Sequence, residues 1–83
     1  MVELFLSKLE VKQWFLGSRW HRVNGPAVLW ADGHCEWYQN GLLHRSNGPA
    51  IVRVNGKLSW YWYGYEVTEY EHMMLAEQEQ AYG

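Results

Sequence analysis

Short stretches of β-branched and aromatic residues alternate with tight-turn dipeptides along most of this chain. Val28-Leu29-Trp30 runs into Asp32-Gly33, Cys35-Glu36-Trp37-Tyr38 follows, and Asn40-Gly41 closes the stretch. Ile51-Val52, Asn55-Gly56, Trp60-Tyr61 and Tyr63-Gly64 repeat that order. Asp-Gly and Asn-Gly pairs accept the positive φ angles of two-residue hairpin turns. The pattern predicts strand, turn, strand, turn, short strand and connector, then the next unit. Pro26 and Pro49 open the long strands, where a missing N–H is tolerated.

The period is 23 residues. His21-Arg22-Val23-Asn24-Gly25-Pro26-Ala27 returns as His44-Arg45-Ser46-Asn47-Gly48-Pro49-Ala50. A fixed period of this size marks stacked repeats, each burying apolar surface against its neighbours. One period upstream, Trp37-Tyr38 becomes Trp14-Phe15, and the turn slot holds Gly17-Ser18. Residues 1–20 therefore read as a degenerate first unit, 21–43 and 44–67 as repeats, and 68–80 as a capping helix. Leu9-Glu10 is a poor turn pair, so Val2 to Glu10 also suits a short helix. Thr68-Glu69-Tyr70-Glu71 reads as a capping box. The helix it opens places Tyr70, Met73, Met74 and Glu77 on one face.

Two-residue turns would set the register. At Asp32-Gly33, Val28 would face Trp37 and Trp30 would face Cys35. At Asn40-Gly41, Tyr38 would face Leu43, Trp37 would face His44 and Glu36 would face Arg45. One sheet face then holds Val28, Trp30, Cys35, Trp37 and His44. The other holds Ala27, Leu29, Ala31, Glu36, Tyr38, Leu43 and Arg45.

Composition narrows the functions. Eighty-three residues make one small domain, and six Trp, six Tyr and two Phe supply dense packing. Cys35 is the single cysteine, which excludes an internal disulfide and suits a reducing, cytoplasmic setting. A net charge of −2 is too weak to draw nucleic acid by bulk field. No apolar run approaches the roughly 20 residues that span a bilayer. Met1-Val2-Glu3-Leu4 does not read as a signal peptide.

The arrangement His-Arg-x-Asn-Gly-Pro-Ala, then Asp/Asn-Gly, Trp-Tyr and Asn-Gly, resembles the variant MORN-type repeats of small phage and bacterial proteins. The resemblance covers about residues 14 to 67. It implies a mainly β fold: a meander of antiparallel hairpins with a C-terminal α-helix. It departs where Gln39-Asn40 becomes Trp62-Tyr63 and Trp30 becomes Arg53. Function does not follow from a repeat architecture alone.

His21 and His44 could ligate a metal with Cys35 and His34. Their slot holds Val67 in the last unit, so it reads as packing and no metal is expected. Arg22 and Arg45 are candidate anion contacts. The plainer reading pairs Arg45 with Glu36 and Arg22 with Gln13 across strands. Trp14, Trp37 and Trp60 form a core ladder. Trp20, Trp30, Arg53, Trp62, Tyr63, Tyr65 and Tyr70 are the candidate partner-binding residues, because the repeat does not demand them. No nucleophile motif or phosphate loop is present, so neither catalysis nor a cofactor is expected. The expected role is a non-enzymatic protein-binding module. In the phage-type reading it inhibits by occluding a host or defence protein; an antitoxin-like neutraliser is the same mechanism with another partner. Nucleic-acid binding through arginines and aromatics is the weaker alternative. A single-layer sheet with two partly apolar faces also suggests a homodimer.

Overall fold

The computed structural model describes residues 1–82. Strands β1 (Val2–Leu6), β2 (Lys12–Leu16), β3 (Arg19–Trp20), β4 (Val28–Leu29) and β5 (Cys35–Glu36) come first. Then follow β6 (Tyr38–Gln39), β7 (Leu42–Leu43), β8 (Ile51–Val52), β9 (Leu58–Trp62), β10 (Tyr65–Val67) and helix α1 (Glu69–Tyr82). The main sheet runs β1-β2-β4-β5-β8-β9-β10, with β3 on β2, while β6 and β7 form their own ladder. All pairs are antiparallel. The fold is thus the expected hairpin meander with a C-terminal helix.

β1 pairs along the whole of β2. The other edge of β2 is shared: β4 pairs with Lys12 and Gln13, and β3 with Phe15 and Leu16. One period later, β8 pairs with Cys35 and Glu36, while β7 pairs with Tyr38 and Gln39 just beyond. Each unit is therefore hydrogen-bonded to the next at its opening strand.

Two kinds of turn build these hairpins. Asn40-Gly41 and Tyr63-Gly64 have positive φ at both residues, at 50° and 82° and at 42° and 92°. They are the two-residue turns expected, and Tyr38 faces Leu43 and Val67 faces Trp60 accordingly.

Asp32-Gly33 and Asn55-Gly56 behave differently. Trp30 N–H donates to the His34 carbonyl and Gly33 N–H donates to the Trp30 carbonyl, closing a three-residue loop. Arg53, Lys57 and Gly56 repeat these bonds. The Asp32 and Asn55 side chains each accept from the backbone N–H two residues on, and Gly33 and Gly56 take the left-handed position. The extra loop residue moves the register by one. Val28 faces Glu36, not Trp37, and Leu29 faces Cys35.

A one-residue slip turns every side chain over. One face now carries Val28, Trp30, His34, Glu36 and Tyr38. The other carries Leu29, Cys35 and the row Trp14, Ala27, Trp37, Ala50, Trp60. Backbone bonds from Trp14 N to Ala27 O and from Trp37 N to Ala50 O join that row. Large and small side chains alternate along it, and both alanines are wholly buried.

The N-terminal segment is a strand, not a helix. The loop after it has the same three-residue form: Glu10 N–H donates to the Ser7 carbonyl, and Glu10 sits at φ 60°. Glu10 occupies the slot of Gly33 and Gly56, one and two periods earlier.

The sheet is thin. The molecule measures 41 × 32 × 17 Å, and its accessible surface is 5840 Å². A compact chain of 9.9 kDa would expose about 5200 Å². The fully buried apolar residues are Val11, Ala27, Val28, Ala50 and Ile51.

Helix α1 begins with the expected reciprocal cap. Thr68 N–H donates to Glu71 Oε1 at 2.8 Å, and Glu71 N–H donates to Thr68 Oγ1 at 3.1 Å. Those bonds hold the Glu71 carboxyl below its usual range. The buried face differs from expectation. His72 is enclosed and Leu75 and Ala76 are half-buried; of the expected face Met74 is half-buried too, whereas Tyr70, Met73 and Glu77 are exposed. His72 wins the inner position because it packs on Trp60 and Trp62 while donating to the Arg45 carbonyl. No helix among the described residues is long and apolar enough to cross a membrane.

Glu10 carries a left-handed strain that Gly33 and Gly56, its repeat equivalents, avoid. Relief of roughly 1–2 kcal/mol, less roughly 0.4–1 kcal/mol for greater freedom of the unfolded chain, predicts that Glu10→Gly stabilises by about 0.5–1 kcal/mol. Urea unfolding should show a higher midpoint at unchanged slope.

Candidate functional site

The repeated heptapeptide is occupied by structural duties. His21 Nδ1 accepts the backbone N–H of Asn40, and His44 Nδ1 accepts that of Tyr63, each at 3.0 Å. Asn40 and Tyr63 are the first turn residues of the β6–β7 and β9–β10 hairpins, so each histidine, which follows β3 or β7, ties the hairpin before it to the next. Gly41 N–H donates to the Trp20 carbonyl, and Gly64 N–H to that of Leu43, beside these bonds. Val67 takes the slot in the last unit, where no further turn follows.

The arginines do not pair with Glu36 and Gln13 as expected. The Arg22 guanidinium lies 3.9 Å from the centre of the Trp14 ring, and Arg45 lies 3.9 Å from that of Trp37. Each donates from Nη1 to a proline carbonyl, Pro26 or Pro49, at 3.2 Å. The chain passes so closely that a Cβ on Gly25 or Gly48 would come 2.5 or 2.7 Å from the guanidinium carbon. The glycines of the motif make room for this stack. Trp60 has no such arginine, because Thr68 stands at that position; His72 of α1 covers it instead.

Several candidate binding residues also serve packing. The Tyr63 ring stacks on His44 at 3.7 Å, and Trp62 meets His44 and His72 edge-on. Tyr65 and Tyr70 stand exposed. Arg53 donates to Ser59 Oγ at 2.7 Å and, with Trp30, lines a shallow depression.

Trp20 and Trp30 are different: the register brings them together on the face opposite the tryptophan row. They line one cleft of about 430 Å³ with Gln13, Val28 and Glu36. Val28, buried, sits between Gln13 and Glu36, its partners on the two neighbouring strands. A continuous arc of contacts forms the rim. Trp20 lies 4.9 Å from Tyr38, ring to ring. The Tyr38 hydroxyl donates to Glu36 Oε1, and His34 Nε2 donates to Glu36 Oε2, both at 2.8 Å. The His34 ring meets Trp30 edge-on at 6.3 Å. Trp20 Nε1 donates to Gln13 Oε1 at 3.2 Å. Burial, and then the Glu36 hydrogen bond, push the Tyr38 hydroxyl far above its usual pKa, so it stays a donor to the carboxylate.

Three members of this arc belong to one unit only. Trp30, His34 and Glu36 become Ser7, Val11 and Gln13 one period earlier, and Arg53, Lys57 and Ser59 one period later. Glu36, Tyr38 and His34 were not singled out as partner-binding residues from the sequence. For His34 and Glu36 the signal that could have found them is their loss from the other units at positions where the turns recur; Tyr38 returns as Phe15 and Tyr61 and carries no such signal.

Among the described residues, no three His, Cys, Asp or Glu side chains converge as a metal would require. Cys35 is a free, half-buried thiol. No family model, curated protein or solved structure matches the chain.

His44 must be unprotonated at Nδ1 to accept from Tyr63. Burial lowers its pKa below the usual 6.5, with Glu79 raising and His72 lowering it further. The unfolded chain therefore binds the proton more readily. Stability should be full above about pH 6.5 and fall as the pH drops toward the lower folded value. His44→Val should flatten this dependence in pH-resolved unfolding. At neutral pH it should cost about 1 kcal/mol, the low end for an orphaned donor, because water reaches the turn.

Proposed function

We propose that the chain is a non-enzymatic protein-binding module whose docking face is the Trp20–Trp30 cleft. The observation carrying this reading is the confinement of Trp30, His34 and Glu36 to the middle unit, where they meet Trp20, itself not repeated. The repeated residues are consumed by packing, and these are additional to it. Tryptophan and tyrosine concentrate binding energy at protein interfaces. The arc is also held in place before any partner arrives, which lowers the ordering cost of association.

The mechanism that fits is occlusion. A thin sheet offers one face to a partner and blocks that partner's working surface, as an inhibitor of a host or defence protein or as an antitoxin would. The resemblance to MORN-type phage repeats supports the inhibitor reading. Nucleic acid is less suited to this face, because the charges near the cleft are mixed: Asp32 and Glu36 lie beside His34 and Arg53. Self-association is a further element of the proposal: all five residues of β1 are exposed, and its outer edge is open.

The immobilised protein should retain one stoichiometric protein from host lysate through nuclease and moderate salt. Trp30→Ala should lose it with the fold intact by circular dichroism, while Tyr70→Ala should retain it. Recovery that disappears with nuclease, or that survives Trp30→Ala, would contradict the proposal.

A further inference from the structure

The cleft has a chemical preference that follows from its lining. Beside the indoles of Trp20 and Trp30 it is lined by Leu9, Val11 and Val28 and by the uncharged Ser7 and Gln13, and the one formal charge among these residues is the Glu36 carboxylate. Indole faces carry negative potential and attract cations. A carboxylate with both oxygens already held by Tyr38 and His34 still has a free lone pair on each. Among the described residues no arginine or lysine lines the cleft, and Arg53 is tied to Ser59 and lines a separate depression that shares Trp30 with it. The chain already uses the same chemistry internally, setting a guanidinium 3.9 Å from an indole in two places. There, however, the cation is its own.

We propose that the Trp20–Trp30 cleft receives a basic side chain, the guanidinium or ammonium group of an arginine or lysine on a partner protein. The stem of that side chain lies along Val28 and between the indoles, while its charged end reaches Glu36. Gln13 fixes Trp20 through the indole N–H, so the wall is set before binding. This inference rests on the protein-binding reading above and specifies which partner surface fits: a basic protrusion rather than an acidic or purely apolar one.

The test uses the blocked tripeptide N-acetyl-Gly-Arg-Gly-amide, its norleucine and glutamate counterparts, and free arginine. Each is titrated into the full chain while the indole Nε1–H resonances of Trp20 and Trp30 are followed by NMR. The arginine peptide should shift both resonances saturably. The norleucine and glutamate peptides should bind roughly tenfold more weakly or not at all. Glu36→Gln, which keeps the size and an acceptor oxygen, should weaken the arginine peptide by a similar factor while the remaining spectrum stays native. Glu79→Gln, remote from the cleft, should change nothing.

Equal binding of the norleucine and arginine peptides, unchanged binding by Glu36→Gln, or no response to any peptide would overturn the inference. Tighter binding of free arginine than of the blocked peptide would overturn it too, by making the cleft a small-molecule site. A captured partner lost with Trp30→Ala but kept with Glu36→Gln would leave the protein-binding reading standing and remove the cation. Peptide binding without any captured protein would do the reverse.

Discussion

A histidine ring that accepts a backbone N–H from the next hairpin's turn is the constraint on which this fold depends. A two-residue turn of this kind leaves the N–H of its first central residue pointing out of its own hairpin. In His21–Asn40 and His44–Tyr63 that donor is used to join successive hairpins, beside the bond from the following glycine to the Trp20 or Leu43 carbonyl. An arginine stacked on the preceding tryptophan closes the same corner and adds roughly 0.5–2 kcal/mol, depending on how well it is desolvated. The glycine beneath makes space for it, and the proline carbonyl beyond accepts its proton. The heptapeptide is thus a corner joint, with a physical reason at its histidine, arginine, glycine and proline.

Such joints matter because the core is small. A sheet one layer thick cannot bury much apolar surface, and among the described residues five apolar side chains are buried. Cohesion passes to local polar contacts between neighbours, as in other stacked repeats. The same thinness frees the second face. Once the tryptophan–alanine row and the arginines occupy one side, and α1 closes the last tryptophan, the opposite side carries Glu36, His34 and Trp30 of the middle unit, with Trp20 beside them, without a structural obligation to the repeat.

Much of this architecture was legible in the chain. The period, the hairpin order, the two-residue turns at Asn40-Gly41 and Tyr63-Gly64 and the Thr68–Glu71 cap all follow from local chemistry. The register of the other hairpins did not. Asp-Gly serves a two-residue turn and the last two positions of a three-residue loop equally well, and the choice is made by backbone bonds that composition does not record. That single residue hid the site, because it decided whether Trp30 and Glu36 share a face. The helix face was misread for a related reason: a buried histidine looks unfavourable until the free carbonyl of Arg45 and the uncovered ring of Trp60 are in view. Trp20 and Trp30 could be singled out because they break the repeat. Trp62 and Tyr63 break it too, yet they pack on His44.

The most direct test of the histidine joint is native-state hydrogen exchange at the amides of Asn40 and Tyr63. Both lie in exposed turns, where an amide bonded only to water would exchange near the rate of an unstructured chain. If the histidines hold these donors, both amides exchange slowly, with free energies of opening close to those of the strand amides at Trp37 and Ala50. Rapid exchange at Asn40 and Tyr63 alongside slow exchange in the strands would show that the hairpins stack without the histidines, and the account of the repeat motif would fail.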